Sequence, residues 1–97
     1  MLFAILCQDK PGHLQLRQDT RPKHLAYLGE LNGKDALKFA GPFLGDDGKS
    51  NGSLVMVEAD DRAAAEKIAA ADPYAKAGLF ANVEIRAWSW SVNNPAG

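Results

Sequence analysis

Leu2-Phe3-Ala4-Ile5-Leu6-Cys7 is the stretch that decides the fold. Its apolar side chains run without alternation, although neighbouring side chains of a strand point to opposite faces. Such a run fits a strand covered on both faces, inside a sheet. Ser53-Leu54-Val55-Met56-Val57-Glu58 reads the same way. Two further strands are expected on either side of it in the chain. Leu37-Lys38-Phe39-Ala40 is closed by Gly41-Pro42, and Val83-Glu84-Ile85-Arg86-Ala87 alternates as a half-buried strand does.

The connections read as follows. Asp9-Lys10-Pro11-Gly12 ends the first strand with turn chemistry. The stretch from His13 to Thr20 is mixed, either loop or irregular helix. A helix is predicted from near Pro22, because proline suits a first turn and disfavours helix in the residue before it. Asn32-Gly33 is its expected C-cap. Asp46 to Gly52 is a polar, glycine-rich hairpin connection. Asp60 or Asp61 caps a second helix, Arg62 to Ala71, with Arg62 and Glu66 paired one turn apart. Asp72-Pro73 breaks that helix and starts one more turn, with Asp72 at N-cap, Pro73 at N1 and Gly78 past the end. Trp88, Trp90 and Val92 continue the last strand on the opposite parity, which predicts a bulge or a strand end buried on its other side. Residues 93–97 read as a frayed tail.

The order β-α-β-β-α-β with right-handed crossovers is an α+β, ferredoxin-like βαββαβ plait: a four-stranded antiparallel sheet with two helices on one face. The first and third strands are then central, and these are the two with apolar residues on both parities. Two helices cover only one face of such a sheet. A large apolar patch on the other face predicts a second copy of the chain over it, as a two-fold homodimer through the sheet faces.

The length of 97 residues fits one domain over 1–97. Apolar residues make up 46% and charged residues 24%, an ordinary globular balance. The formal net charge of -1 offers no field for gathering phosphates, so nucleic acid is not an expected partner. The lone Cys7 has no internal disulfide partner, which fits a reducing compartment. The run Met1 to Cys7 has no basic segment before it and is too short for a signal core or a membrane span. A cytoplasmic protein without membrane contact is expected.

His24 is the residue of greatest chemical interest. At roughly 100° per residue, Tyr27, Leu28 and Leu31 fall within about 60° of it on the helix circumference. A near-neutral titrating group therefore sits in an apolar stripe. It is either a core histidine donating to a backbone carbonyl or a ring facing a pocket where its proton matters. A catalytic role needs a partner that fixes the tautomer, usually a carboxylate. Asp72, pinned by Pro73, is the best candidate, and a helix cap is its other reading. Tyr74 either lines a pocket or packs in the core. Gly41 and Pro42 either let backbone approach a ligand or only turn the chain. Arg21 and Arg86 either receive an acidic substrate or are solvated. Asp46 and Asp47 read as solvated turn residues. No zinc pattern, Walker loop, dinucleotide fingerprint or Gly-x-Ser-x-Gly elbow is present, and neither a metal nor a cofactor is expected. Cys7, at the end of a buried strand, reads as inert.

Several segments together resemble the YCII-related (YciI-like) family: Met1 to Gly12, Arg21-Pro22-Lys23-His24-Leu25-Ala26-Tyr27-Leu28, Ala40-Gly41-Pro42, Gly52-Ser53-Leu54, Asp72 to Phe80 and Val83 to Trp88. Each is weak alone; in family order they span nearly the whole chain. The resemblance implies a dimeric α+β barrel of two protomers packed sheet to sheet. It also implies an enzyme working through a histidine and an aspartate in a cleft, roles that fall on His24 and Asp72. The expected function is a small cofactor-independent enzyme of the lyase or isomerase type. It would perform general acid/base chemistry (isomerisation, elimination or hydrolysis) on a small organic substrate, with Arg21, Gly41, Pro42 and Tyr74 about it. The alternative is a dimeric module that holds a small ligand without turnover.

Overall fold

A computed structural model describes residues 1–96. The elements are β1 (Leu2–Asp9), α1 (Leu14–Gly33), β2 (Leu37–Leu44), β3 (Ser50–Glu58), α2 (Arg62–Ala71), α3 (Pro73–Lys76) and β4 (Phe80–Trp88). The strands form one antiparallel sheet in the order β2-β3-β1-β4. This is the ferredoxin-like plait, with the doubly apolar β1 and β3 at its centre.

Register explains why both parities of the central strands are apolar. Phe3 pairs with Val57, Ile5 with Val55 and Cys7 with Ser53. Phe3, Ile5, Cys7, Val55 and Val57 form the core with Ala65 of α2, flanked by Leu28, Ile68, Phe80 and Ile85. Each Phe, Ile or Val among them contributes about 1.5–3 kcal/mol when fully buried. The opposite face carries Leu2, Ala4, Leu6, Leu54 and Met56. At one end of that face Phe39 meets Trp88 and Trp90 edge-on, with ring centroids 6.0 and 5.2 Å away. Met56 and Ala4 lie in the same row as Phe39 and are buried.

Gly52 is needed where β3 passes β1. A Cβ there would collide with the backbone carbonyl of Cys7.

Several expectations are corrected. Helix α1 begins at Leu14 rather than near Pro22, and Pro22 lies inside it. Pro22 stands on an exposed stretch, where solvent can replace the missing backbone bond. Strand β2 does not stop at Ala40 but continues through Gly41-Pro42 to Leu44. It is an edge strand, the one kind of strand that tolerates proline. The hairpin connection is shorter than Asp46 to Gly52, because β3 already starts at Ser50. Strand β4 starts at Phe80, earlier than Val83. It ends at Trp88, and the chain then lays Trp90 on Phe39; the register shift lies at its other end, opposite Gln8 and Asp9. Arg62 donates to the carbonyl of Ile85 at 2.6 Å and makes no ion pair with Glu66, since the edge strand β4 leaves that carbonyl open. Of the expected tail, Asn94 donates to the Trp90 carbonyl at 3.3 Å and accepts from the Ala96 amide at 2.9 Å. Gly97 lies outside the described residues.

No described helix is long and apolar enough to cross a membrane.

Candidate active site

Helix α1 turns a polar face inward. Arg17, Thr20, His24 and Leu31 are its buried residues, and at 100° per residue they lie within about 60° of one another. The first three lead from its N-terminal half toward the start of α3. There Asp72 acts as N-cap, its Oδ1 accepting the Tyr74 amide at 2.9 Å, with Pro73 in the first turn. The same oxygen lies 2.9 Å from His24 Nδ1, and Oδ2 lies 3.1 Å away. His24 and Asp72 are 7% and 5% exposed, so this hydrogen bond is shielded from water. Nε2 of His24 has no hydrogen-bond partner among the described residues.

Beside this pair is a cavity of about 510 Å³, a volume suited to a small ligand. His24, Arg21, Gly41, Pro42 and Tyr74 all line it, whereas Asp72 lies behind His24 and does not. Arg86 stands away from the cavity, on the uncovered sheet face. The Tyr74 ring lies against His24, with centroids 4.0 Å apart and planes 21° apart. Burial pushes the Tyr74 phenol above its ordinary range, against the opposing pull of Arg17 and Arg21. It is therefore a neutral hydroxyl in neutral solution.

Sequence reasoning missed Arg17, Asp9 and Ser53. The Arg17 guanidinium stands 4.6 Å from the Tyr74 ring centroid. Its Nε donates to Asp9 Oδ2 at 2.6 Å, and its Nη2 donates to Asp9 Oδ1 at 2.9 Å and to Ser53 Oγ at 2.7 Å. Burial opposes the charge on Arg17, but its hydrogen bonds and attraction to Asp9, with smaller contributions from Tyr74, together outweigh it and raise its pKa. The signal was present: Arg17 precedes His24 by seven residues, two turns on one helix face.

His13 bonds the Pro11 carbonyl at 2.8 Å and takes no part in the cavity beside His24. Asp46 and Asp47 line a different, open hollow. Cys7 is buried, and burial pushes its thiol up to about 12, so it is no nucleophile at neutral pH. Among the described residues no three His, Cys, Asp or Glu side chains gather as metal ligands would.

Comparison with known proteins adds to this geometry. The family model of the YCII-related domain matches residues 1–89. Protein YciI of Escherichia coli is 37% identical over 92 residues, covering 89% of this chain and 94% of that protein. Among solved structures, 5-chloro-2-hydroxyhydroquinone dehydrochlorinase (TftG) of Burkholderia phenoliruptrix, in complex with 2,5-dihydroxybenzoquinone, superposes with a TM-score of 0.85. It is 37% identical and the match covers 97% of this chain and 99% of that one. A NIPSNAP domain protein of Burkholderia xenovorans has a TM-score of 0.53 at 18% identity, covering 98% of this chain and 99% of its own, a likeness of fold alone.

Proposed function

We propose that this chain, which belongs to the YCII-related family, is a small-molecule enzyme with His24 as general acid and base and Asp72 as the residue positioning its ring. One observation carries the reading: His24 Nδ1 is bonded to a buried carboxylate while the ring borders the cavity. In the neutral ring that bond keeps the proton on Nδ1 and leaves the lone pair on Nε2. After Nε2 takes a proton, the same carboxylate stabilises the imidazolium.

The reaction class follows from this equipment. Nε2 removes a proton beside a carbonyl or enol, and the released electron pair forms a new double bond. In an isomerisation the proton returns at another atom. In an elimination a leaving group such as chloride departs with its bonding pair, so the substrate loses one HX in total. Neither course requires a metal or a redox cofactor. The likeness to a dehydrochlorinase at 37% identity supports the elimination. Arg21, Gly41, Pro42 and Tyr74 form the substrate's surroundings. The working unit is a homodimer closed over the uncovered sheet face, where Leu6 and Leu54 stand side by side.

The test is chloride release from chlorinated hydroxyhydroquinones and related small halogenated enols. Turnover is expected in the wild type and its loss in His24→Asn at unchanged Tm. Absence of turnover across the panel, or its survival in His24→Asn, would overturn the proposal.

A further inference from the structure

The charge around the cavity is one-sided. Arg17, Arg21 and Lys49 line it together with His24, and no Asp or Glu does; Lys49 stands on its border with the hollow that Asp46 and Asp47 line. The chain as a whole has 12 acidic and 11 basic side chains, so this is a local segregation and not the composition. Arg17 is matched by Asp9. Among the described residues, Arg21 and Lys49 make no ion pair.

These two cations come from different walls. Arg21 projects from α1. Lys49 belongs to the connection between β2 and β3, where its amide donates to Asp47 Oδ1 at 2.9 Å and its carbonyl accepts from the Gly45 amide at 2.9 Å. Its backbone is thus fixed while its long side chain remains free to follow a ligand. The rest of the lining is largely apolar, with Leu25, Leu28, Pro42 and Val55.

We infer that the substrate is a small anion, an apolar ring or short chain bearing an ionised enol, phenol or carboxyl oxygen, with Arg21 and Lys49 as the clamp that selects it. The inference rests on the cavity being the substrate site, as proposed above. An anionic enol also suits the chemistry. Proton removal by Nε2 moves negative charge onto a substrate oxygen, and the cations at the rim stabilise that charge as they close on it. The electrostatic part of such binding weakens with salt, because both cations are exposed.

The experiment measures binding by calorimetry in the His24→Asn background, which removes chemistry from the readout. The probes are 2,5-dihydroxybenzoquinone, whose vinylogous acid groups are ionised at neutral pH, and its uncharged dimethyl ether. The dihydroxy probe is expected to bind at least about tenfold more tightly than the ether. Arg21→Met and Lys49→Met should each weaken it by about tenfold, Arg21→Lys and Lys49→Arg much less, and raised salt should narrow the gap. Equal affinity for the two probes, no binding of either to a folded protein, or Met variants within twofold of the parent would overturn the inference. Charge-selective binding without any turnover by the wild type would sink the acid–base proposal and leave the anion clamp standing.

Discussion

Tyr74 lies flat on the imidazole of His24, 4.0 Å between centroids, while its own backbone amide is held by the carboxylate that bonds Nδ1. The ring is thereby restrained in two ways: Asp72 sets its rotation and Tyr74 covers one face. Arg17 contacts the same tyrosine ring at 4.6 Å and is itself anchored on Asp9 and Ser53. Arg17 and His24 stand two turns apart on α1, about 10.5 Å along its axis, which leaves room for one aromatic ring between them.

Separating the two jobs of Asp72 gives the first prediction. Asp72→Asn keeps in Oδ1 an oxygen able to cap Tyr74 and to accept from Nδ1, but it removes the negative charge and puts a donating amide in place of Oδ2, 3.1 Å from Nδ1. It is expected to lower kcat by about 10²-fold or more, with Tm nearly unchanged. Asp72→Ala should lose as much activity and also about 1–2 kcal/mol of stability. Nitrogen NMR of the His24 ring checks the cause: the Nδ1–H tautomer should dominate in the wild type and lose that dominance in Asp72→Asn.

Arg17 and Asp9 give the second. Their side chains are 7% and 6% exposed, so removing one strands the other's charge out of water. Arg17→Met is expected to cost about 3–5 kcal/mol in urea unfolding, and the double variant Arg17→Met, Asp9→Leu should recover most of that loss. Equal stability of the single and double variants would contradict a buried pair.

Cys7 gives the third. Burial, then the negative charge of Asp72, raises its thiol from 9.0 to about 12 in the folded protein. Between those values the unfolded chain has already lost a proton that the folded chain retains. Stability from this group is therefore whole below about pH 9 and falls as pH rises toward 12. Cys7→Ala should flatten that part of the alkaline stability curve, although Tyr27 and Tyr74, also raised by burial, leave a remainder. Iodoacetamide at pH 8 should label Cys7 only after denaturant is added.

The fourth concerns the uncovered face. Leu6 lies at its middle, paired with Leu54 on one side and Glu84 on the other. Sedimentation should show a dimer for the wild type and a monomer for Leu6→Arg, with the fold retained by circular dichroism. A wild-type monomer at micromolar concentration would remove the basis for sheet-to-sheet assembly.

The parts of the fold that follow from burial were legible in the residues. Six apolar positions from Leu2 to Cys7 place β1 at the centre, and Asp72-Pro73-Tyr74 announces its own cap. The residues around His24 were legible through family resemblance more than through spacing, because 48 positions separate His24 from Asp72. What stayed hidden has a common physical origin. The first half of α1 escapes recognition because its inward face is Arg17, Thr20 and His24, so no apolar period marks it as a helix. Strand β2 past Pro42 escapes because edge position is a property of the whole sheet, not of the segment. In both places the local rule is overridden by the polar lining of the cavity or by topology.

One oxygen, Oδ1 of Asp72, serves both the turn that leads into β4 and the histidine. If His24 is the acid–base group proposed above, a lineage that abandoned the reaction would still be selected to retain this aspartate, for folding alone. His24 carries no such second duty in the backbone. Among descendants, then, an intact aspartate says little about whether a copy is still active, whereas replacement of the histidine would be the telling change.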